Sequence, residues 1–227
     1  MRGAIYHFTD KSEKRPVVFQ KQLRELEQFA EKIGVDVEKV YCDFSLKKKD
    51  RTQFNLLLRD SHQYSALVTK DFYHISKNTA ACMKLLRQFR ASGIVVYTLE
   101  NGVFDFSEVP YNEPLRVASY THADGRIRDV DSAIHIQQDI YSLFVKRKTN
   151  WTMVEQYSDV CHVQNDSEQE DLMRLVSNKS DFDILIVSNL CDIHWRTARF
   201  CKIREMIGKP IFSLQDGYLM YKKEEQV

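Results

Sequence analysis

"KNTAACMKLLRQFRASGIVVYTLENG", residues 77–102, is the stretch on which the fold turns. Residues 78–93 read as a helix with Gly93 just past its end, and residues 94–102 as a β-branched strand running into a turn. Upstream the same two patterns alternate. "GAIYHF" (3–8) is a strand, and 17–34 carries Val18, Leu23, Leu26, Phe29, Ala30 and Ile33 on one helical face before Gly34. "VEKVYCDF" (37–44) is a second strand, "SLKKKD" (45–50) a charged loop, "RTQFNLLLRD" (51–60) a short helix and "YSALVTKD" (64–71) a third strand. Strand and helix in alternation argue for a parallel sheet covered by helices.

The order then repeats. Strands are expected at 116–125, 152–160, 182–189 and 209–217, with helices at 131–148, 167–178 and 196–208. Tyr6 pairs with Tyr120, "YCDF" with "YSDV" so that Asp43 meets Asp159, "KNTA" with "WRTA", and "TLENG" with "SLQDG". These near-constant separations indicate a tandem duplication. The expected organisation is a unit at 1–103, a linker at 104–115 broken by Pro110 and Pro114, and a second unit at 116–227.

The totals narrow the function classes. The chain has 227 residues and is 43% hydrophobic, enough to bury a core. Lys plus Arg number 33 against 32 Asp plus Glu, so the whole chain lacks the bulk attraction to phosphate of a strongly basic protein. Five cysteines without a C-x-x-C pair suit reduced thiols, and the spacing of Cys191, His194 and Cys201 matches no common zinc site. With no signal peptide and no apolar run near the ~20 residues that span a bilayer, a cytoplasmic protein without membrane contact is expected.

The first half resembles the catalytic domain of serine recombinases, the resolvase/invertase family. The strand ending at Tyr6 to Asp10, the helix in "FQKQLRELEQFAEKIG", the stretch "DFSLKKKDRTQFNLLL" and the opening quotation follow that family's order over nearly all of 3–103. The second half repeats it less closely over 116–218. The resemblance implies an α/β fold: two tandem resolvase-like units, each a mostly parallel four-stranded sheet flanked by helices. In that family a serine at the end of the first strand attacks a DNA phosphodiester, and arginines hold the phosphate.

Those positions are altered here. The family's Tyr-x-Arg-x-Ser is Tyr6-His7-Phe8-Thr9-Asp10, so Phe8 replaces the arginine and Asp10 the nucleophile. In the second half the same places hold His122 and Asp124. The family's Asp-Arg-x-x-Arg is read as residues 73–77 in the first half and as 192–196 in the second, where Asp192 and Arg196 are family-like. The arginine after the mobile loop survives as Arg51 and is read as Ser167 in the second half. Losing one transition-state donor costs roughly 3–4 kcal/mol; several are missing here, and a carboxylate at the attacker's place repels phosphate. The expectation is therefore a non-cleaving module that binds a protein partner in DNA recombination or processing, with no cofactor. DNA is a second partner class, through Lys47, Lys48, Lys49 and Arg51, and the two halves are expected to pack as an internal pseudo-dimer.

The alternatives are enzymatic. Thr9 or Ser12 could serve as a displaced nucleophile. The strand-end acids, Asp10, Asp43 and Asp71 in one half and Asp124, Asp159 and Asp192 in the other, could bind magnesium for phosphoester hydrolysis. Against the metal stands the ordinary use of aspartate at strand-to-loop junctions, where it caps helices. His7, His74, His122 and His194 show no partner spacing and read as structural, as do Tyr6 and Tyr120. The short spans 104–115 and after Gly217 lead to the expectation that the family's long dimerisation helix and DNA-reading domain are missing.

Overall fold

The computed structural model describes residues 1–9, 16–44, 51–105, 113–161 and 169–222. Asp10, Ser12, Lys47, Lys48, Lys49, Ser167 and most of the 104–115 segment lie outside these. The chain forms two compact units, one built on Met1–Phe104 and the other on Asp105–Tyr221.

In the first unit the elements are β1 (Arg2–Phe8), α1 (Pro16–Lys32), β2 (Asp36–Asp43), α2 (Thr52–Asp60), β3 (Ala66–Thr69), α3 (Phe72–Ile75), α4 (Thr79–Ala91), β4 (Val95–Thr98) and β5 (Gly102–Asp105). Strand order is β2-β1-β3-β4-β5, parallel except for the antiparallel last pair. β1 lies inside the sheet between β2 and β3, so both of its faces are covered and six of its seven residues are buried. That is why its sequence is a continuous apolar run and not an alternation. Leu26, Phe29 and Ala30 of α1 pack on Ile5, Val35, Ala66 and Val68.

The second unit repeats this order with β6 (Leu115–Asp124), α5 (Val130–Lys146), β7 (Trp151–Cys161), α6 (Glu170–Ser177), β8 (Ile184–Val187), α7 (Leu190–Ile193), α8 (Thr197–Ile207), β9 (Ile211–Ser213) and β10 (Gly217–Lys222). Its strands run β7-β6-β8-β9-β10, again parallel up to an antiparallel final pair. Tyr141 and Val145 of α5 close the core over Val117, Trp151, Ile184, Ile186 and Phe212. Even the irregularity of the first ladder recurs, between Gly3 and Ala4 in β1 and between Val117 and Ala118 in β6.

Beyond its four parallel strands, each unit adds a fifth that pairs antiparallel with the fourth. The chain reverses after β4 around Gly102, whose φ of 70° is open to glycine, while Thr98 Oγ1 donates to the Gly102 carbonyl at 2.7 Å. The added strands β5 and β10 each follow a turn directly. Both one-turn helices, α3 and α7, were also outside the sequence expectation, because four residues cannot display a helical period.

Gly3 marks a tight approach in the first sheet. A Cβ there would press on Val35 Cγ1 inside van der Waals contact and lie 3.2 Å from the Ala66 carbonyl oxygen. Gly3→Ala should lower unfolding stability by about 1–3 kcal/mol. In a double-mutant cycle with Val35→Ala, the two losses should be less than additive in urea unfolding.

Candidate functional site

The carboxyl ends of the parallel strands carry the same polar brace in both units. In the first, the buried Tyr6 hydroxyl donates to Asp43 Oδ2 at 3.1 Å. Asp43, at the end of β2, also accepts from the backbone N–H groups of Gln53 (3.0 Å) and Phe54 (2.9 Å). Those donors belong to the first turn of α2, which has no intrahelical partner for them. In the second unit the Tyr120 hydroxyl donates to Asp159 Oδ2 at 2.9 Å, and Asp159 accepts from Asp171 N (2.9 Å) and Leu172 N (3.0 Å) of α6. Tyr6 and Tyr120 were read as core aromatics; they are buried, and their hydroxyls anchor this network as well. Burial drives both phenols well above the usual tyrosine range; at Tyr6 the Arg51 charge works against it, and at Tyr120 the nearby Asp159 adds to it.

A third group completes each brace from the position just before the helix. Arg51 donates through Nε (3.2 Å) and a terminal nitrogen (3.0 Å) to the Tyr6 hydroxyl. It also donates to the carbonyls of Ile75 (2.6 Å) and His74 (2.7 Å), and its guanidinium centre lies 3.9 Å from the Phe54 ring centroid. The matching residue in the second unit is Gln169. Its Nε2 donates to the Tyr120 hydroxyl at 3.3 Å and to the Ile193 carbonyl at 3.0 Å. This replaces the sequence pairing with Ser167. The usable signal was a residue with a long donor side chain standing directly before the helix, as Arg51 stands before Thr52.

The pairing of the second loop also shifts. Thr79 and Thr197 open α4 and α8, so Arg196 corresponds to the cap residue Asn78, and Trp195 to Lys77. Asp192 then stands opposite His74. Asp71 caps α3 through His74 N (2.9 Å) and also meets His74 Nδ1 at 2.7 Å. Asn189 and Asp192 cap α7 reciprocally. Arg196 is exposed and lies over the Trp195 ring at 4.7 Å.

Around the end of β1, rings occupy the space. Phe8 is buried and its ring lies 6.1 Å from His74. His7, buried on the other face, sits 5.2 Å from Phe19 and 6.0 Å from His74, and its Nε2 is 3.2 Å from Thr9 Oγ1. In the second unit His122 is half-buried, and burial lowers its pKa despite the opposing charges of Asp159 and Asp124. Asp124 is gripped by Arg126, with Nε 2.9 Å from Oδ1 and 3.0 Å from Oδ2.

The aspartates offered for a metal are directed at separate partners. Asp124 faces Arg126, Asp159 the α6 backbone and Tyr120, and Asp192 the Asn189 N–H at 2.9 Å. Among the described residues no group of three or more His, Cys, Asp or Glu is placed to hold a metal ion. The five cysteines are in the reduced thiol form. No helix among the described residues is long and apolar enough to cross a membrane.

Comparison with known proteins gives the same relationship as the motifs. Residues 11–117, just under half of the chain, match the family model for the resolvase N-terminal domain. Three similar solved structures are a serine recombinase, an integrase and a resolvase family recombinase. The C-terminal catalytic domain of ISC1926 TnpA, an IS607-like enzyme, is 14% identical over 44% of this chain and 69% of that one, with a TM-score of 0.39. The N-terminal catalytic domain of TP901-1 integrase is 18% identical over 45% and 79%, with a TM-score of 0.39. A resolvase family site-specific recombinase from Streptococcus pneumoniae is 16% identical over 65% and 94%, with a TM-score of 0.38. No curated protein matches the chain.

Two outcomes follow. Arg51→Gln copies the second unit's brace and should cost about 1 kcal/mol, whereas Arg51→Ala should cost about 3 kcal/mol by stranding the carbonyls and the Tyr6 oxygen; chemical unfolding of both variants checks the ranking. Burial, reinforced by the neighbouring Asp216, raises the Asp192 pKa to about 6, against about 3.9 in an unfolded chain. The folded state therefore holds this proton more tightly. Stability from protonation is complete below pH of about 4 and is lost as pH rises to about 6. Asp192→Asn, which keeps an acceptor for Asn189 N, should flatten that segment of the stability–pH curve and match or exceed wild type at pH 7.

Proposed function

We propose that this chain is a catalytically degenerate relative of the serine recombinases that acts by binding, as an accessory or regulatory module in DNA recombination or processing. The observation that carries this reading is the employment of Arg51. A guanidinium serves phosphoryl transfer by aiming paired donors at phosphate oxygens. Here Arg51 spends its hydrogen bonds on the Tyr6 hydroxyl and two backbone carbonyls and packs on Phe54, so it holds the fold together. In the second unit an uncharged Gln169 does the same task. Phe8 sets an aromatic ring where the family has an arginine, and Asp10 sets a carboxylate where it has the nucleophile. What supports the relationship in both units is the order of strands and helices.

The two units are read as products of a tandem duplication. Their strand order, their ladder irregularity and their Tyr–Asp–helix brace recur one for one, which supports common descent better than fold class alone. The primary partner in this reading is another protein of the recombination machinery, with duplex DNA as the second partner class.

Incubation of the full chain with duplex DNA, with and without magnesium, should give neither strand cleavage nor a covalent protein–DNA species on denaturing gels. A protease-sensitive DNA adduct, or magnesium-dependent cleavage abolished by Asp124→Asn, would overturn the proposal. Gel shifts at two salt concentrations sort the partner classes, since phosphate-driven binding falls steeply with salt.

A further inference from the structure

α5 is apolar on two faces. One face, with Ile134, Tyr141 and Val145, is buried against its own sheet. The other carries Ala133, Ile136, Ile140 and Leu143 at spacings of three, four and three residues. Ile136 is 61% exposed, Ile140 42% and Leu143 58%. Single exposed apolar residues need no explanation, but an aligned stripe does. The fold itself does not demand the stripe. When α1 and α5 are matched by their core residues, Leu26 to Tyr141 and Ala30 to Val145, the outward positions of α1 are Lys21, Glu25 and Gln28. There Lys21 and Glu25 form an ion pair at 3.9 Å. One unit thus presents two charged side chains and a glutamine to water at the positions where the other presents two isoleucines and a leucine.

We propose that α5 is the seam of a two-fold dimer of this chain, in which two copies of the helix pack antiparallel through the stripe. Two features select a second copy as the occupant. The spacing of the stripe is the same in both directions about Gln138, so an antiparallel pair sets Ile136 on the partner's Ile140 and the small Ala133 on the partner's larger Leu143. Such self-complementarity is what an isologous interface requires. Its ends are also oppositely charged. Asp129 at the N-cap and Arg147 at the C-cap are exposed and continue the same line, each four residues beyond the apolar stretch. Antiparallel packing joins Asp129 to the partner's Arg147 at both ends and opposes the helix dipoles. Parallel packing would set like charge on like. Asp139 flanks the middle of the seam, and the two-fold axis brings its two copies to one side, where they repel and weaken the pair.

The seam is small, so the dimer dissociates in the micromolar range, on the order of 1–100 µM. Sedimentation equilibrium of the full chain across that range should show reversible monomer–dimer exchange. Ile140→Glu changes an exposed side chain; it should keep the wild-type unfolding midpoint and weaken the dimer by more than about tenfold. Asp139→Asn should tighten it. Cysteine cross-linking under a mild oxidant tests the geometry directly: a mixture of Ile136→Cys and Ile140→Cys chains should form a disulfide heterodimer, and neither variant alone should exceed the wild-type background. A monomer at every concentration, a dimer indifferent to Ile140→Glu, or cross-linking between like positions would each overturn the proposal.

Discussion

A buried carboxylate at the end of the second strand ties each sheet to the helix that follows. Asp43 and Asp159 each accept two backbone N–H groups from a helix start and a tyrosine hydroxyl from the neighbouring strand. An isolated buried carboxylate is costly, and it persists only when its lone pairs are filled. Here three donors fill them, so one side chain sets the helix position, the tyrosine orientation and the strand pairing together. Replacing the aspartate would strand all three donors in the interior.

The brace also explains which changes at its rim the fold can absorb. The position before the helix must offer donors to a tyrosine oxygen and to a carbonyl of the next loop, and it needs length more than charge. Arginine and glutamine both meet that demand, which is why Arg51 and Gln169 occupy equivalent places. The charge at this position can therefore differ between the two units while the brace keeps its form. Rings such as His7, Phe8 and Phe19 fill the neighbouring space by packing.

Much of this was legible before any coordinates. Interior strands such as β1 and β3 show continuous apolar runs because both faces are covered, and helices such as α4 announce themselves by period and by the glycine that follows. The family relationship was legible too, since it rests on the order of motifs. What escaped the sequence was short or relational. α3 and α7 are single turns, β5 and β10 are the far arms of tight turns, and the Ser167 pairing failed because loop length disguises the register.

From the sequence alone come the alternation of strand and helix, its repetition, and the identity of the side chains at positions such as Phe8, Asp10 and Arg51, because periodicity and residue identity are local properties. Tertiary structure alone decided what the retained residues do. Whether Arg51 points at a ligand or at Tyr6, whether an aspartate waits for a metal or caps a helix, and whether Ile136 faces core or water all depend on which groups, distant along the chain, the fold brings within hydrogen-bonding or van der Waals reach.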